Sequence, residues 1–167
     1  MLFSLSCFGQ QLPLFTQYHD LQSVINPAAI TSDYFALDHN VSIGASYRTQ
    51  WVGINNNPQT QVLRGDYFNA DGAGFSLLAG GSVMNDQTGP TGFTGIYGKI
   101  GGVISGDPAY EGLSLALNLG MVQYRVDITE IKFRDENDIL AMENQAEVFM
   151  DAGLVCFITD RLDPIRI

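Results

Sequence analysis

Apolar and polar residues alternate with a period of two along most of this chain. Phe35, Leu37, Val41, Ile43, Ala45 and Tyr47 share one parity, against Ala36, Asp38, Asn40, Ser42, Gly44, Ser46 and Arg48 on the other, and only His39 breaks the pattern. Such alternation places successive side chains on opposite faces of a pleated strand. It predicts a first strand over 34–48 and a weaker second over 59–68, with Leu63 and Tyr67 on one face and Arg64 and Asp66 on the other. A third strand is expected over 73–83 and a glycine-rich fourth over 93–104. The fifth is the clearest: Leu113, Leu115, Leu117, Leu119 and Met121 line up against Ser114, Ala116, Asn118, Gly120 and Tyr124. A sixth, over 147–158, gathers Val148, Met150, Ala152, Leu154, Cys156 and Ile158 on one face.

The segments between carry turn chemistry. After Tyr47 and Trp51, three asparagines (Asn55, Asn56, Asn57) and Pro58 favour a wide polar turn, because Asn tolerates left-handed backbone and Pro cannot donate to a ladder. Residues 69–72 form a short turn, 84–92 a polar loop that turns at Asp86, Gly89 and Pro90, and 105–111 a turn through Gly106, Asp107 and Pro108. Residues 126–146 form a long acidic loop with room for a helical turn around Leu140. On this pattern the connections after strands one, three and five are long and those after two and four are short, the asymmetry of an outer-membrane barrel.

The second face decides between a membrane barrel and a soluble sandwich. In water it would carry Lys, Glu and Thr; here it carries Gly, Ser, Ala and Asn, and Lys99 is the sole lysine of the predicted strands. A lumen lined by small polar groups with an Arg64/Asp66 pair has no need of a solvating charge layer. Tyr47, Trp51, Tyr67 and Tyr124, near strand ends, suit an interfacial aromatic girdle, with ordinary edge packing as the alternative for each. The expected fold is all-β: the N-terminal part of an antiparallel up-and-down transmembrane β-barrel. Six strands are too few for a spanning barrel, which takes at least about eight. Open edges in lipid cost several kcal/mol per unpaired group, so further strands are expected to be encoded elsewhere.

Composition narrows the classes. The 167 residues carry a formal net charge of -10 with 16% charged residues; without a basic run to displace counterions, nucleic acid is set aside as a partner. No apolar run is long enough for a spanning helix. The apolar, small start of the chain, with Cys7 and Gly9 ahead of Gln10, has the character of the end of a secretory signal peptide, although the usual Lys/Arg beginning is missing. The expected organisation is a signal-peptide remnant over 1–9, an irregular lead-in over 10–33 in which Pro27 forces Asn26 out of helical backbone, and a partial barrel over 34–167. With Cys7 removed, Cys156 has no disulfide partner in the chain.

Catalytic chemistry has no candidate. His19 and His39 lack the spacing of a metal site, and the acidic run at 135–138 lacks the glycine turn and terminal glutamate of a calcium loop, so a solvated acidic loop is preferred. No nucleophile elbow, phosphate loop or dinucleotide fingerprint occurs. Neither enzyme activity nor a cofactor is expected.

Four blocks along the chain, Phe15 to Tyr18 with Asn26-Pro27-Ala28, Tyr47 to Gln61, Asn85 to Thr91 and Leu119 to Asp127, resemble the PorP/SprF-like membrane proteins of the Bacteroidetes type IX secretion and gliding systems. Phe15-Thr16-Gln17-Tyr18 followed by Asn26-Pro27-Ala28 resembles the N-terminal signature of that family. Tyr47-Arg48-Thr49-Gln50-Trp51-Val52-Gly53 with Pro58-Gln59-Thr60-Gln61 resembles its main block. Asn85-Asp86-Gln87-Thr88-Gly89-Pro90-Thr91 and Leu119-Gly120-Met121-Val122-Gln123-Tyr124-Arg125-Val126-Asp127 resemble two later segments. Members are roughly twice as long and are thought to form a complete outer-membrane barrel. The resemblance implies a non-enzymatic outer-membrane component that helps to secrete, anchor or present surface adhesins and other large cargo. Its partners would be other type IX and gliding components, that cargo and outer-membrane lipid. Asn26, Pro27, Arg48, Gln50, Trp51, Gly53, Pro58, Thr60, Asp86, Gly89, Pro90 and Tyr124 are the motif residues; of these Arg48, Gln50, Trp51 and Pro58 are expected to shape a rim that a partner reads. A passive porin-like channel and a secreted soluble β-sandwich binding module are the other two function classes.

Overall fold

The computed structural model of the chain describes residues 20–71, 74–106, 111–127 and 145–160. The predicted signal peptide, His19, and residues 128–144 with the turn at Leu140 lie outside them.

Six strands follow one another: β1 (Val41–Thr49), β2 (Gln59–Asp71), β3 (Phe75–Thr88), β4 (Thr91–Ile104), β5 (Glu111–Val126) and β6 (Gln145–Asp160). Every neighbour pairs antiparallel, in the order β1-β2-β3-β4-β5-β6, in a single sheet. The sheet is not closed, with β1 and β6 at its edges. This is the up-and-down arrangement that the alternation predicts, and it is not the pair of packed sheets of a sandwich. No helix among the described residues is long and apolar enough to cross a membrane. The strands β2 to β6, of 13, 14, 14, 16 and 16 residues, each exceed the roughly 9–11 that a tilted strand needs to span a bilayer.

The sheet is inside out relative to a soluble protein. One register row runs Val41, Tyr67, Ala79, Ile100, Leu117, Leu154 across all six strands, and its large side chains are exposed, Leu154 by 78%. The adjacent row, on the opposite face, runs Ser42, Asp66, Gly80, Lys99, Asn118, Gly153. There Asp66 and Lys99 are only 7% and 9% exposed. A contiguous apolar face across six strands is rare on soluble monomers and suits hydrocarbon as its solvent.

Residues 20–37 cover the polar face over β2, β3 and β4. Two short helices, α1 (Gln22–Ile25) and α2 (Ser32–Leu37), flank an extended bend. Asn26 ends α1 in extended backbone, as the following proline demands, and its Oδ1 accepts a hydrogen bond from Ala28 N at 3.0 Å. Leu21 packs with Val62 and Met84; further along, Ile30 joins Phe68, Leu78 and Val103, and Tyr34 meets Phe68 edge-on at 4.6 Å between ring centroids. Val62 and Phe68 lie six residues apart on β2, so the segment follows the polar face for roughly 20 Å before turning into β1.

Three expectations need correction. The first strand starts at Val41, not at 34, because Ser32–Leu37 is helical and closes at Asp38 in left-handed backbone, φ 57°; Phe35 and Leu37 belong to α2. The polar stretch 84–92 is not a loop: β3 continues to Thr88 and β4 begins at Thr91, leaving Gly89 (φ 56°) and Pro90 as the turn. The connection after the third strand is therefore short, and the predicted alternation of long and short connections fails there. Tyr124 does not join an outward girdle; it lies on the polar face between Phe93 (5.1 Å) and Phe149 (6.2 Å), while Tyr47 and Tyr67 do face outward.

Candidate functional site

Two constructions carry the chemistry of the described residues: a braced loop at one end of the sheet and an ionic network on the polar face.

The loop joins β1 to β2. Gln50 N donates to Pro58 O at 2.9 Å and Ile54 N to Trp51 O at 3.1 Å, closing a small ring within a larger one. Asn57 holds the neck, its Nδ2 donating to Thr49 Oγ1 at 2.7 Å and to Gln50 O at 3.0 Å, while its Oδ1 accepts from Gln59 Nε2 at 3.1 Å. With the Gln50 amide turned so that its oxygen faces Arg48, that oxygen accepts from the guanidinium. Trp51 and Asn56 sit at φ 52° and 59°, and Gly53 at φ 100°. Left-handed backbone at a tryptophan is uncommon and persists because the surrounding hydrogen bonds over-determine it. The outcome is a fixed loop with Trp51, Val52 and Ile54 all on its surface, Trp51 being 68% exposed.

The tight β3–β4 turn lies against this loop, with Gly89 N donating to Asn56 O at 3.3 Å. Below it Thr60 Oγ1 donates to Asp86 Oδ1 at 2.5 Å, across a directly opposed pair of β2 and β3. Asp86 is thus a strand residue on the polar face, not the turn residue that its neighbours in sequence suggest. The structure brings Arg48, Gln50, Trp51, Gly53, Pro58, Thr60, Asp86, Gly89 and Pro90 to one end of the sheet. Tyr124, paired with Phe93 near that end of β5, borders the same rim. Asn26 and Pro27 stand apart, shaping the segment over the polar face.

The network was not among the predicted site residues. Asp66 is its centre: Lys99 Nζ lies 2.7 Å from Oδ1, and Oδ2 accepts from Arg64 Nη1 at 2.9 Å and Ser23 Oγ at 2.8 Å. Arg64 Nη1 also donates to Ser42 Oγ at 2.8 Å, Ser42 Oγ donates to Asp33, and Lys99 Nζ donates to Ser23 O at 3.2 Å. Two cations and two carboxylates balance. Ser23 and Asp33 come from the covering segment, so the network binds that segment to the sheet. Its signal in sequence was the presence of Arg64, Asp66 and Lys99 on faces otherwise made of Gly, Ser, Ala and Asn; what meets them was not readable. Among the described residues no group of three or more His, Cys, Asp or Glu side chains is placed to hold a metal ion.

The family model described as "Type IX secretion system membrane protein PorP/SprF" matches residues 7–159. The chain belongs to that family. No curated protein and no solved structure matches it. The matched span contains both constructions, and all four blocks that carry the resemblance in the sequence lie inside it. As a PorP/SprF member the chain is a type IX secretion system membrane protein, and its strands, not helices, supply the apolar surface.

Proposed function

We propose that this chain acts as a non-enzymatic outer-membrane component of the type IX secretion and gliding machinery, anchoring or helping to export and present adhesins or other large cargo. Its partners are other components of that machinery and the exported cargo, and the lipid that surrounds the outward face is that of the outer membrane. The observation that carries this is the braced rim: a loop fixed by its own hydrogen bonds that holds Trp51, Val52 and Ile54 on the surface with Arg48 and Gln50 beside them. Rigid aromatic and arginine side chains bind partners at low entropic cost, since little freedom is lost on contact.

The test is a Trp51→Ala/Arg48→Ala variant in the native host. Cargo display, read by antibody labelling of intact cells, is expected to fall while the amount of heat-modifiable barrel in the membrane stays at the parental level. Full display by that variant would remove the rim from the mechanism.

A passive porin-like channel is the weaker reading, because the polar face that would line its wall is covered over β2, β3 and β4 by residues 20–37.

A further inference from the structure

That covering segment has a consequence beyond partner recognition. Leu21, Ala28, Ala29 and Ile30 are buried against the sheet, and the segment crosses the polar face over strands β2, β3 and β4. Between the two apolar contacts at its ends sits the ionic network, with Ser23 bonded at once to Asp66 through its hydroxyl and to Lys99 through its carbonyl. Gly80 lies between Asp66 and Lys99 in the register, and a Cβ there would stand 2.7 Å from Asp66 Oδ1 and 2.8 Å from Lys99 Cε. The sheet thus leaves a gap in which the two charges meet under α1. The segment is held both by these polar contacts and by the apolar clusters around Leu21 and Ile30.

We propose that residues 20–37 are a plug inside the barrel, latched by Ser23 and Asp33 onto Asp66, Lys99 and Arg64, and that the plug blocks passage of small ions through the lumen. The occupant of the polar face is the chain's own N-terminal segment. The plug is independent of which cargo the rim serves.

The test places the change on the plug and leaves the barrel wall intact. Ser23→Asp puts a carboxylate against Asp66 in place of a donor. With the protein assembled as a closed barrel in planar lipid bilayers in potassium chloride, Ser23→Asp is expected to pass roughly tenfold more current than the parent, the size of effect that a modest shift in a two-state equilibrium gives. A Leu21→Cys/Met84→Cys pair, in a background with Cys7 and Cys156 changed to serine, is expected to form a disulfide under mild oxidant in membranes. The same pair added to Ser23→Asp should return the current to the parental level until reductant is added. A parent that conducts as well as Ser23→Asp, or a Ser23→Asp variant as silent as the parent, overturns the plug as the barrier. Failure of the cysteine pair to cross-link in folded protein overturns its location. Cargo display is unaffected by either result, which separates this proposal from that for the rim.

Discussion

Lys99 Nζ meets Asp66 Oδ1 at 2.7 Å over a glycine, with strand β3 between their backbones and both side chains 5% exposed. Asp66 also serves Arg64 and Ser23, so its removal leaves Lys99 without a carboxylate and Arg64 with only Asp33, at 4.0 Å. Breaking a buried pair from one side costs about 3–5 kcal/mol, whereas removing both members costs much less. Asp66→Ala should therefore lower the urea midpoint in lipid vesicles, followed by far-UV circular dichroism, far more than Asp66→Ala/Lys99→Met does. Equal losses in the two variants would mean that the pair is not coupled.

The glycine between them is a spatial requirement. A methyl at Gly80 meets Asp66, Lys99 and the Gly65 carbonyl at 2.8 Å, backbone that has no means of turning aside. Gly80→Ala is expected to cost about 1–3 kcal/mol, as overpacking does. Gly98, one residue before Lys99, faces outward, and a methyl there would meet nothing within 4 Å; Gly98→Ala should stay within about 0.5 kcal/mol of the parent. The comparison is made by urea unfolding of the two variants side by side.

The strand faces were legible because a period of two is unambiguous wherever it persists for eight or more residues, as from Leu113 to Met121. It failed at Phe35 and Leu37, where the last turn of α2 is too short to tell alternation from a helical repeat. It failed again at 85–88: Asn85, Asp86, Gln87 and Thr88 have loop chemistry, yet their ladder continues because Thr60 and Thr94 supply side-chain partners, Thr94 Oγ1 donating to Asn85 Oδ1 at 2.9 Å. The network was hidden for a different reason. Ser23 reaches Asp66 across 43 residues and Lys99 across 76, and no local pattern announces a contact of that range.

The outward face makes its own prediction. Leu154 lies near the middle of β6 in the apolar register row, and on a soluble protein a residue so exposed would accept arginine at little cost. In a barrel wall the guanidinium must enter hydrocarbon, which costs about 2–4 kcal/mol near the midplane and less toward the interfaces. Leu154→Arg should depress folding yield and urea midpoint in vesicles while Gln61→Arg, on the same face but near the rim, remains close to the parent. An unperturbed Leu154→Arg would place this face in water.

Trp51 is the single tryptophan of the chain, so its fluorescence reports the rim loop alone. Its left-handed backbone is held by the neck that Asn57 ties, and Asn57→Ala removes the donors to Thr49 and Gln50 and the acceptor for Gln59. Each lost hydrogen bond is worth about 0.5–1.5 kcal/mol, and the strained φ at Trp51 would then relax. The steady-state anisotropy of Trp51 should fall in Asn57→Ala with at most a small drop in the urea midpoint of the barrel, since the bonds lost lie at and beyond the last ladder pair of β1 and β2, Thr49 and Gln59. If partner binding depends on a preformed rim, this variant loses affinity while keeping every exposed side chain that a partner touches. That outcome separates rigidity from contact, because Trp51→Ala removes the contact and Asn57→Ala removes only the support.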